Sequence, residues 1–294
     1  MKSTDTIKLT VLLTLSILTS VSLAQLQSTH ESDNSERWEQ NFLYTVKDAY
    51  LLNAGEARLS AQGSYWQNLQ IREYESGTYK RFDRDQYLGI VGLEIGLTPG
   101  LQADVALPFG YAKHSIDNRN YAKGDAGDIQ AGLSLQLIQQ DHTSWTPTVS
   151  VRGGAIIALS NSQRGFDKGA CGWETELLAS KAFDDFFWHG NLSYRLLTNT
   201  REFAQSGRAD EQLWKAGLAL VYSPKLGYET MCEISYGSER EDNAVETEHR
   251  EACYFTPGFN IELSPNTRVG VGIPIGLAHE NYDWAFLAKV QIEL

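Results

Sequence analysis

The feature that most constrains the fold is a hairpin-like stretch that recurs near the end of the chain. Residues 94–110 read EIGLTPGLQADVALPFG, and residues 260–276 repeat the pattern without insertions as NIELSPNTRVGVGIPIG. Each copy places an alternating apolar and polar run on either side of a Ser/Thr-Pro turn, which is typical of a β-hairpin. Residues 220–237 repeat the plan more loosely. The sequence therefore predicts a fold built from antiparallel hairpins.

Twelve alternating segments follow one another from residue 54 to residue 294. Their bounds are 54–66, 85–97, 101–113, 127–139, 146–160, 171–183, 186–198, 211–222, 227–237, 250–263, 267–278 and 283–294. Nearly all are long enough to cross a bilayer as tilted strands, which takes about 9–11 residues. Short connections alternate with longer, charged ones, as periplasmic turns and extracellular loops do in outer-membrane barrels. We therefore predict an all-β fold: a transmembrane, antiparallel up-and-down β-barrel of about 12 strands with short periplasmic turns and longer extracellular loops.

The position of aromatic side chains favours a membrane barrel over a secreted β-sandwich. Both folds show the same alternation of faces, so alternation alone does not separate them. On the predicted lipid face, aromatic residues gather at both ends of the strands, where headgroups would lie. They are Tyr65, Tyr87, Tyr111, Trp173, Trp214, Tyr236 and Trp284 near the long loops, and Trp145, Phe183, Trp188, Tyr222 and Tyr228 near the short turns.

The chain before the barrel divides into two parts. Residues 1–24 carry Lys2 and Lys8, an uncharged apolar run and a small-residue site, which is typical of a secretory signal peptide. A retained membrane anchor is the alternative, disfavoured because the run is short for a span. Residues 25–53 are predicted to be a periplasmic N-terminal segment, either with a short helix or irregular throughout. Residues 54–294 then form the barrel.

Charged residues on the predicted inner face are candidates for a constriction. Reflecting neighbouring strands about their turns places Glu174 opposite Arg195, Arg195 near Lys215, and Lys215 opposite Glu233. Such a ring would form an electrostatic constriction, as charged rings do in pores. Alternatively, the charges only neutralise one another inside a filled barrel. The full set of candidates is Glu94, Asp104, Arg152, Glu174, Arg195, Lys215 and Glu233.

Two prolines occupy matching positions in the repeated hairpins. Pro108 and Pro274 lack the N–H that a sheet requires, so each predicts a bulge or a break in the barrel wall. Gly110 and Gly276 follow two residues later in each copy. Such a dent either only adjusts the curvature of the wall or opens a lateral path toward lipid.

The three cysteines suggest one disulfide at most and no metal site. Reflection of neighbouring strands places Cys232 opposite Cys253 on the lipid face. An oxidising periplasm permits a disulfide there, but both residues could equally remain small apolar thiols. Cys171 is left over, and the spacing does not match a metal centre. We predict no metal and no cofactor.

Enzymatic activity is not expected. A lipid-modifying enzyme in such a barrel would need a Ser–His pair on the outward face near the extracellular rim. The six histidines show no obvious outward serine neighbour, and the sequence lacks a nucleophile elbow, a phosphate loop and a zinc-protease motif. The net charge of -12 also argues against a nucleic-acid partner, because no basic face is available for phosphates.

Several short motifs resemble a family of outer-membrane transporters associated with the meta-pathway of phenol degradation. They are Gly55-Glu56 at the start of the first strand, EIGLTPGLQADVALPFGYA in the second hairpin, GDIQAGLSL from Gly127, and TPTVSVRGGAIIAL in the fifth strand. The resemblance implies a bacterial outer-membrane channel for small, hydrophobic or aromatic compounds. A structural or loop-presenting barrel without transport is the alternative. Expected partners are outer-membrane lipid, a small solute and the barrel-assembly machinery during biogenesis.

Overall fold

The computed structural model describes residues 44–73, 79–116, 119–140, 145–159, 170–200, 209–224, 227–242, 247–277 and 284–294. The predicted signal peptide, 1–24, and most of the segment 25–53 lie outside the described residues. In the described ranges no helix is long and apolar enough to cross a membrane.

Fourteen β-strands form in this part of the chain. Their bounds are β1 (Ala57–Glu73), β2 (Tyr79–Thr98), β3 (Leu101–Ile116), β4 (Arg119–Ala126), β5 (Ile129–Ile138), β6 (Thr148–Ile157), β7 (Cys171–Phe183), β8 (Phe186–Thr200), β9 (Ala209–Tyr222), β10 (Tyr228–Asp242), β11 (Thr247–Ser264), β12 (Thr267–Gly272), β13 (Ile275–Gly276) and β14 (Trp284–Glu293).

The strands close into an antiparallel barrel in which sequence neighbours pair. β1 pairs with β14, and this pairing closes the sheet. β4 and β5 both pair with β3 and share one position in the wall. β12 and β13 likewise share the position between β11 and β14. The barrel therefore has 12 wall positions, which confirms the predicted fold.

Several strands extend further toward the long connections than predicted. The predicted loop 67–84 is largely paired, because the β1–β2 register continues to Glu73 opposite Tyr79. The predicted loop 114–126 contains the last three residues of β3 and all of β4. These predictions were wrong because hydrogen bonds between strands continue where the side-chain alternation ends. Beyond the membrane both faces of a hairpin meet water, so apolar alternation no longer marks the strand.

The outer surface of the barrel is apolar and carries aromatic residues at both ends. Leucine, isoleucine, valine and aromatic side chains account for the exposed hydrophobic positions of the wall. Near the long connections the rings of Tyr65 and Tyr87 lie 4.9 Å apart between centroids. Near the short turns Phe186 and Tyr222 lie at the same distance. This outward placement of apolar groups is the arrangement of a lipid-facing wall.

The hydrophobic core lies inside the barrel, toward the short turns. It brings together inward-facing side chains of several strands and two residues that precede β1. Its buried members are Tyr44, Val46, Phe187, Ala219, Val221, Met231 and Leu287, with Trp66 and Ala182 packed against them. The presence of Tyr44 and Val46 in this cluster shows that the chain before β1 enters the barrel.

Candidate functional site

Residues 44–53, here called the lumenal segment, lie inside the barrel and follow its inner wall. The segment was predicted to be periplasmic, with a short helix as one alternative. Its described residues contain no helix, and their backbone groups bond to inward side chains of the wall instead of to one another. The four-residue spacing of Val46 and Tyr50 reflects burial of both side chains in the lumen rather than a helical face. The rest of residues 25–53 lies outside the described residues.

Glu233, on β10, anchors one end of the lumenal segment. Its Oε1 accepts the backbone N–H of Tyr44 at 2.6 Å, and its Oε2 accepts those of Thr45 at 2.6 Å and Val46 at 3.0 Å. The Thr45 hydroxyl donates to the same Oε2. Glu233 is fully buried, so these donors replace the water that a carboxylate would otherwise need. Successive backbone N–H groups around an anion form a binding nest.

The middle of the lumenal segment is held by two serine hydroxyls. Ala49 donates its N–H to Ser180 Oγ at 2.8 Å, and its carbonyl accepts the Ser150 hydroxyl at 2.7 Å. Ser180 Oγ also lies 2.8 Å from His189 Nδ1. This Ser–His contact faces inward on β7 and β8. Because it is fully buried and supports the segment backbone, it gives no catalytic site on the outward face.

The other end of the lumenal segment is fixed beside β1. Leu52 donates its N–H to Gln102 Oε1 at 2.9 Å, and the Tyr50 hydroxyl donates to Gln140 Oε1 at 3.0 Å. The Asn53 N–H bonds to Glu56 Oε2 at 3.0 Å. The hydrogen bonds of the segment therefore reach wall strands from β3 to β11, while the segment remains covalently joined to β1.

Two glycines make room for Tyr44. A Cβ atom at Gly258 would lie 2.6 Å from Tyr44 Cε2, and one at Gly270 would lie 2.3 Å from the Tyr44 hydroxyl. The hydroxyl donates to Asn260 Oδ1 at 2.8 Å. Burial raises the pKa of Tyr44, so this hydroxyl stays protonated and remains a donor. The absence of side chains at Gly258 of β11 and Gly270 of β12 thus leaves space for the Tyr44 ring.

Arg152 is the centre of a charged network on one side of the lumen. Its Nε and Nη2 donate to the two carboxylate oxygens of Asp104 at 2.8 and 2.6 Å. Its Nη1 donates to Glu174 at 2.7 Å and to Glu176 at 2.9 Å. Arg195 also donates to Glu174, through Nε at 2.7 Å and through Nη2. Paired, hydrogen-bonded ions of this kind are costly to separate once buried.

The lumenal segment completes this network through Lys47. Its Nζ lies 2.5 Å from Glu176 Oε1. The network then contains the three cations Lys47, Arg152 and Arg195 and the three carboxylates Asp104, Glu174 and Glu176. Its formal charge is zero only while Lys47 is in place.

The predicted order of charges across β7 to β10 is correct in its first two steps and wrong in its third. Glu174 pairs with Arg195 as predicted. Lys215 pairs with Ser193, two residues from Arg195, and on its other side with Gly237 instead of Glu233. The prediction failed because the β9–β10 connection is centred near residue 226 rather than 224. A shift of this kind displaces every pair in a hairpin.

A second group of charges lies on the wall formed by β14, β1 and β2. Arg58 Nη1 donates to Glu94 Oε2 at 3.1 Å, and its Nη2 lies 3.9 Å from Glu293 Oε1. The Nε and Nη2 atoms of Arg58 are buried and have no hydrogen-bond partner among the described residues. These two atoms form the side-on edge with which an arginine binds a carboxylate through two hydrogen bonds.

Asp48, in the lumenal segment, faces this second group. The charged side chains with which its carboxylate interacts electrostatically are Arg58, Glu94, Arg268 and Lys289. Glu94 was predicted as a constriction candidate, whereas Arg58, Lys47 and Asp48 were not. The adjacent charges of Lys47 and Asp48 in the otherwise uncharged stretch YTVKDAYLL were the available signal. Each points to a different charged group.

The wall is interrupted at both predicted proline positions. β12 ends at Gly272 and β13 begins at Ile275, so the break contains Pro274. At Pro108 the break lies in the neighbouring strand, between β4 and β5. Gly110 continues the paired part of β3, and Gly276 ends β13.

Backbone hydrogen bonds bridge both interruptions. Gly127 N donates to Pro108 O at 2.7 Å. At the other break, Ile273 N donates to Pro257 O at 3.0 Å, and Ala285 N donates to Pro274 O at 2.8 Å. A lateral path at these breaks therefore remains a hypothesis, and the bridging bonds count against it.

All three cysteines lie in described strands and none forms a disulfide. Cys232 pairs with Pro257, and Cys253 pairs with Tyr236, so the two cysteines are not opposite one another. Cys171, Cys232 and Cys253 are all unbonded to another sulfur. The disulfide considered from the sequence is therefore wrong, because the β10–β11 turn is centred near residue 244 or 245 and not 242 or 243.

Comparison with known proteins identifies the fold. The barrel is similar to the crystal structure of an outer membrane channel from Pseudomonas putida F1, with a TM-score of 0.69 and 13% identity over 84% of this chain and 98% of that chain. It is also similar to the β-domain of the Bordetella autotransporter BrkA, with a TM-score of 0.50 and 13% identity over 82% of this chain and 100% of that chain.

The sequence itself matches no family model and no curated protein. The predicted relationship to the phenol-pathway transporter family therefore remains a prediction. The similarity to solved structures and the apolar exterior agree on a coarser assignment. The protein is a β-barrel of the bacterial outer membrane.

Proposed function

We propose that the protein is an outer-membrane channel for small solutes, hydrophobic or aromatic compounds among them, and that the lumenal segment controls passage. The observation that carries this proposal is the way the segment is held. Most of its anchors are hydrogen bonds and ion pairs to side chains of the wall, with Glu233 at one end and Gln102 at the other. Polar anchors of this kind can be exchanged for water when the segment leaves.

The charged groups of the lumen support a role in passage. Two such groups, centred on Arg152 and on Arg58, lie on different parts of the inner wall, and the lumenal segment contributes Lys47 to one and Asp48 to the other. Movement of the segment would remove an ionisable side chain from both groups at once. The P. putida protein of the same fold is described as an outer membrane channel, which supports the proposal.

Conductance in planar bilayers tests this function. We expect the wild-type barrel to conduct weakly and a variant lacking residues 44–52 to conduct steadily and more strongly, because the segment no longer occupies the lumen. Glu251→Gln, which changes an exposed carboxylate on β11, serves as a control and is expected to behave like wild type. Silence of both the wild type and the shortened protein would contradict a channel.

A structural barrel without transport is the second candidate. The apolar cluster around Val46 and Val221 favours it, because both side chains are buried in the lumen and such packing stabilises a closed interior. A barrel that stays silent after removal of residues 44–52 would favour this candidate. In either case we expect contact with outer-membrane lipid, insertion by the barrel-assembly machinery and no enzymatic activity.

A further inference from the structure

We infer that Arg58 is the binding residue for the carboxylate of a small anionic solute, and that the site is completed when the lumenal segment leaves. This inference rests on the proposed channel function and names its solute class. One edge of the Arg58 guanidinium lacks hydrogen-bond partners. The side chain is 9% exposed, and neither Nε nor Nη2 has a partner among the described residues.

An unpaired buried donor is unusual and unfavourable. Each one loses its bonds to water without a replacement. Nη1 of the same guanidinium does have a partner, Glu94. Glu293 approaches Nη2 only to 3.9 Å, which is too far for a hydrogen bond. The edge left over is the one that binds a planar carboxylate through two parallel bonds.

The lumenal segment places a carboxylate near this wall while it is docked. Asp48 interacts electrostatically with Arg58, Arg268 and Lys289 as well as with Glu94. Without Asp48, these wall residues and Glu293 comprise three cations and two carboxylates, a net charge of +1. Departure of the segment therefore removes the Asp48 carboxyl group from a wall that retains an unsatisfied guanidinium edge. A solute carboxylate would balance the net charge of +1 and supply the missing hydrogen bonds.

The apolar surface of this wall lies away from Arg58. On β14, Leu287 and Lys289 both face inward two residues apart, opposite Ser64 and Gln62 of β1. Arg58 itself pairs with Glu293, which is six residues, or about 20 Å along the strand, from Leu287. The site therefore selects the carboxylate and not the body of the solute.

Benzoate is a suitable probe, and benzamide is its uncharged counterpart of nearly the same shape. We would measure binding of both by ligand-observed NMR to the full protein purified from outer membranes in detergent. Arg58→Lys keeps the positive charge but loses the planar edge. We expect benzoate to bind Arg58→Lys about tenfold more weakly than wild type, the change expected for a lost charge-assisted hydrogen bond. Arg240→Lys, at an exposed position of β10, is the matched control and should bind like wild type.

Release of the segment provides a second test. Glu233→Gln weakens its anchor, so we expect this variant to bind benzoate severalfold more tightly than wild type, and the double variant with Arg58→Lys to lose that gain. Far-UV circular dichroism checks that each variant keeps the barrel. Equal binding of benzoate and benzamide, or equal benzoate binding by wild type and Arg58→Lys, would overturn the inference.

Conductance in KCl separates this inference from the proposed function. If the protein conducts but does not bind benzoate, the carboxylate site is rejected and the channel function stands. If the protein binds benzoate through Arg58 but does not conduct after removal of residues 44–52, the channel function is rejected and the carboxylate site stands.

Discussion

Glu233 Oε2 accepts both the backbone N–H and the side-chain hydroxyl of Thr45, so one buried carboxylate fixes the position and the orientation of a residue 188 positions earlier in the chain. Among the described residues, no other fully buried carboxylate accepts as many hydrogen bonds from the lumenal segment. We therefore expect docking of the segment to depend on Glu233 more than on any other wall residue.

Replacement of Glu233 by Gln should release the lumenal segment. The amide presents one acceptor oxygen where the carboxylate presents two, and bonds to a charged group contribute about 1.5–3 kcal/mol. The fraction of released segment should rise about tenfold or more. Single-channel recording would show this as a higher open probability. Unchanged recordings from Glu233→Gln, with Glu251→Gln as the control, would show that Glu233 does not hold the segment.

Replacement of Arg152 by Gln should destabilise the barrel and alter its ion selectivity. Three carboxylates would lose their shared partner, and breaking such a buried network costs about 3–5 kcal/mol. The network would also change from a charge of zero to -1, so currents should become more cation-selective. The urea midpoint of refolded protein and the reversal potential in a KCl gradient measure the two effects. Arg152→Lys should preserve the selectivity while losing part of the stability.

Passage should depend on pH through Asp48. Burial raises the pKa of Asp48 to about 7 from its usual 3.8, and attraction to Arg58 only partly offsets this effect. The docked state therefore favours the protonated acid, and docking weakens as pH rises from about 4 through 7. We expect a higher open probability at pH 8 than at pH 6. Asp48→Asn should remove this difference, whereas an equal response of wild type and Asp48→Asn would assign it to another group.

Replacement of both wall prolines tests the lateral path. In Pro108→Val with Pro274→Val, each position regains a backbone N–H and the wall can form a regular ladder. Because hydrogen bonds already bridge both breaks, we expect uptake of a hydrophobic fluorescent probe by cells to remain within about twofold of wild type. A large fall in uptake, with unchanged amounts of protein in the membrane, would support a lateral path.

The thiol content of the protein tests whether a disulfide forms. Denatured protein that has not been exposed to a reductant should react with three equivalents of a thiol reagent, because Cys171, Cys232 and Cys253 form no disulfide. Reaction of one equivalent would show that Cys232 and Cys253 pair despite the register that separates them. Reductant-treated protein, which must give three equivalents, is the control.

The sequence predicts the barrel well because the alternation of faces and the aromatic residues at both strand ends are properties of single strands. The register between strands depends on the centre of each turn, and only tight turns fix it: the Asp184-Asp185 turn correctly pairs Glu174 with Arg195, while the longer turns misplace Lys215 and Cys253. The lumenal segment could not be predicted from periodicity. Its position is set by buried polar partners such as Glu233 and Ser180, which belong to distant strands.

The covalent connection between the lumenal segment and β1 makes the segment an intramolecular ligand of its own barrel. Asn53 stays at the rim through its bonds to Glu56, so a released segment remains close to its binding positions. A short tether of this kind corresponds to an effective concentration of about millimolar. A solute that binds where the segment docks must therefore either reach comparable concentrations or bind the wall more tightly than the segment does.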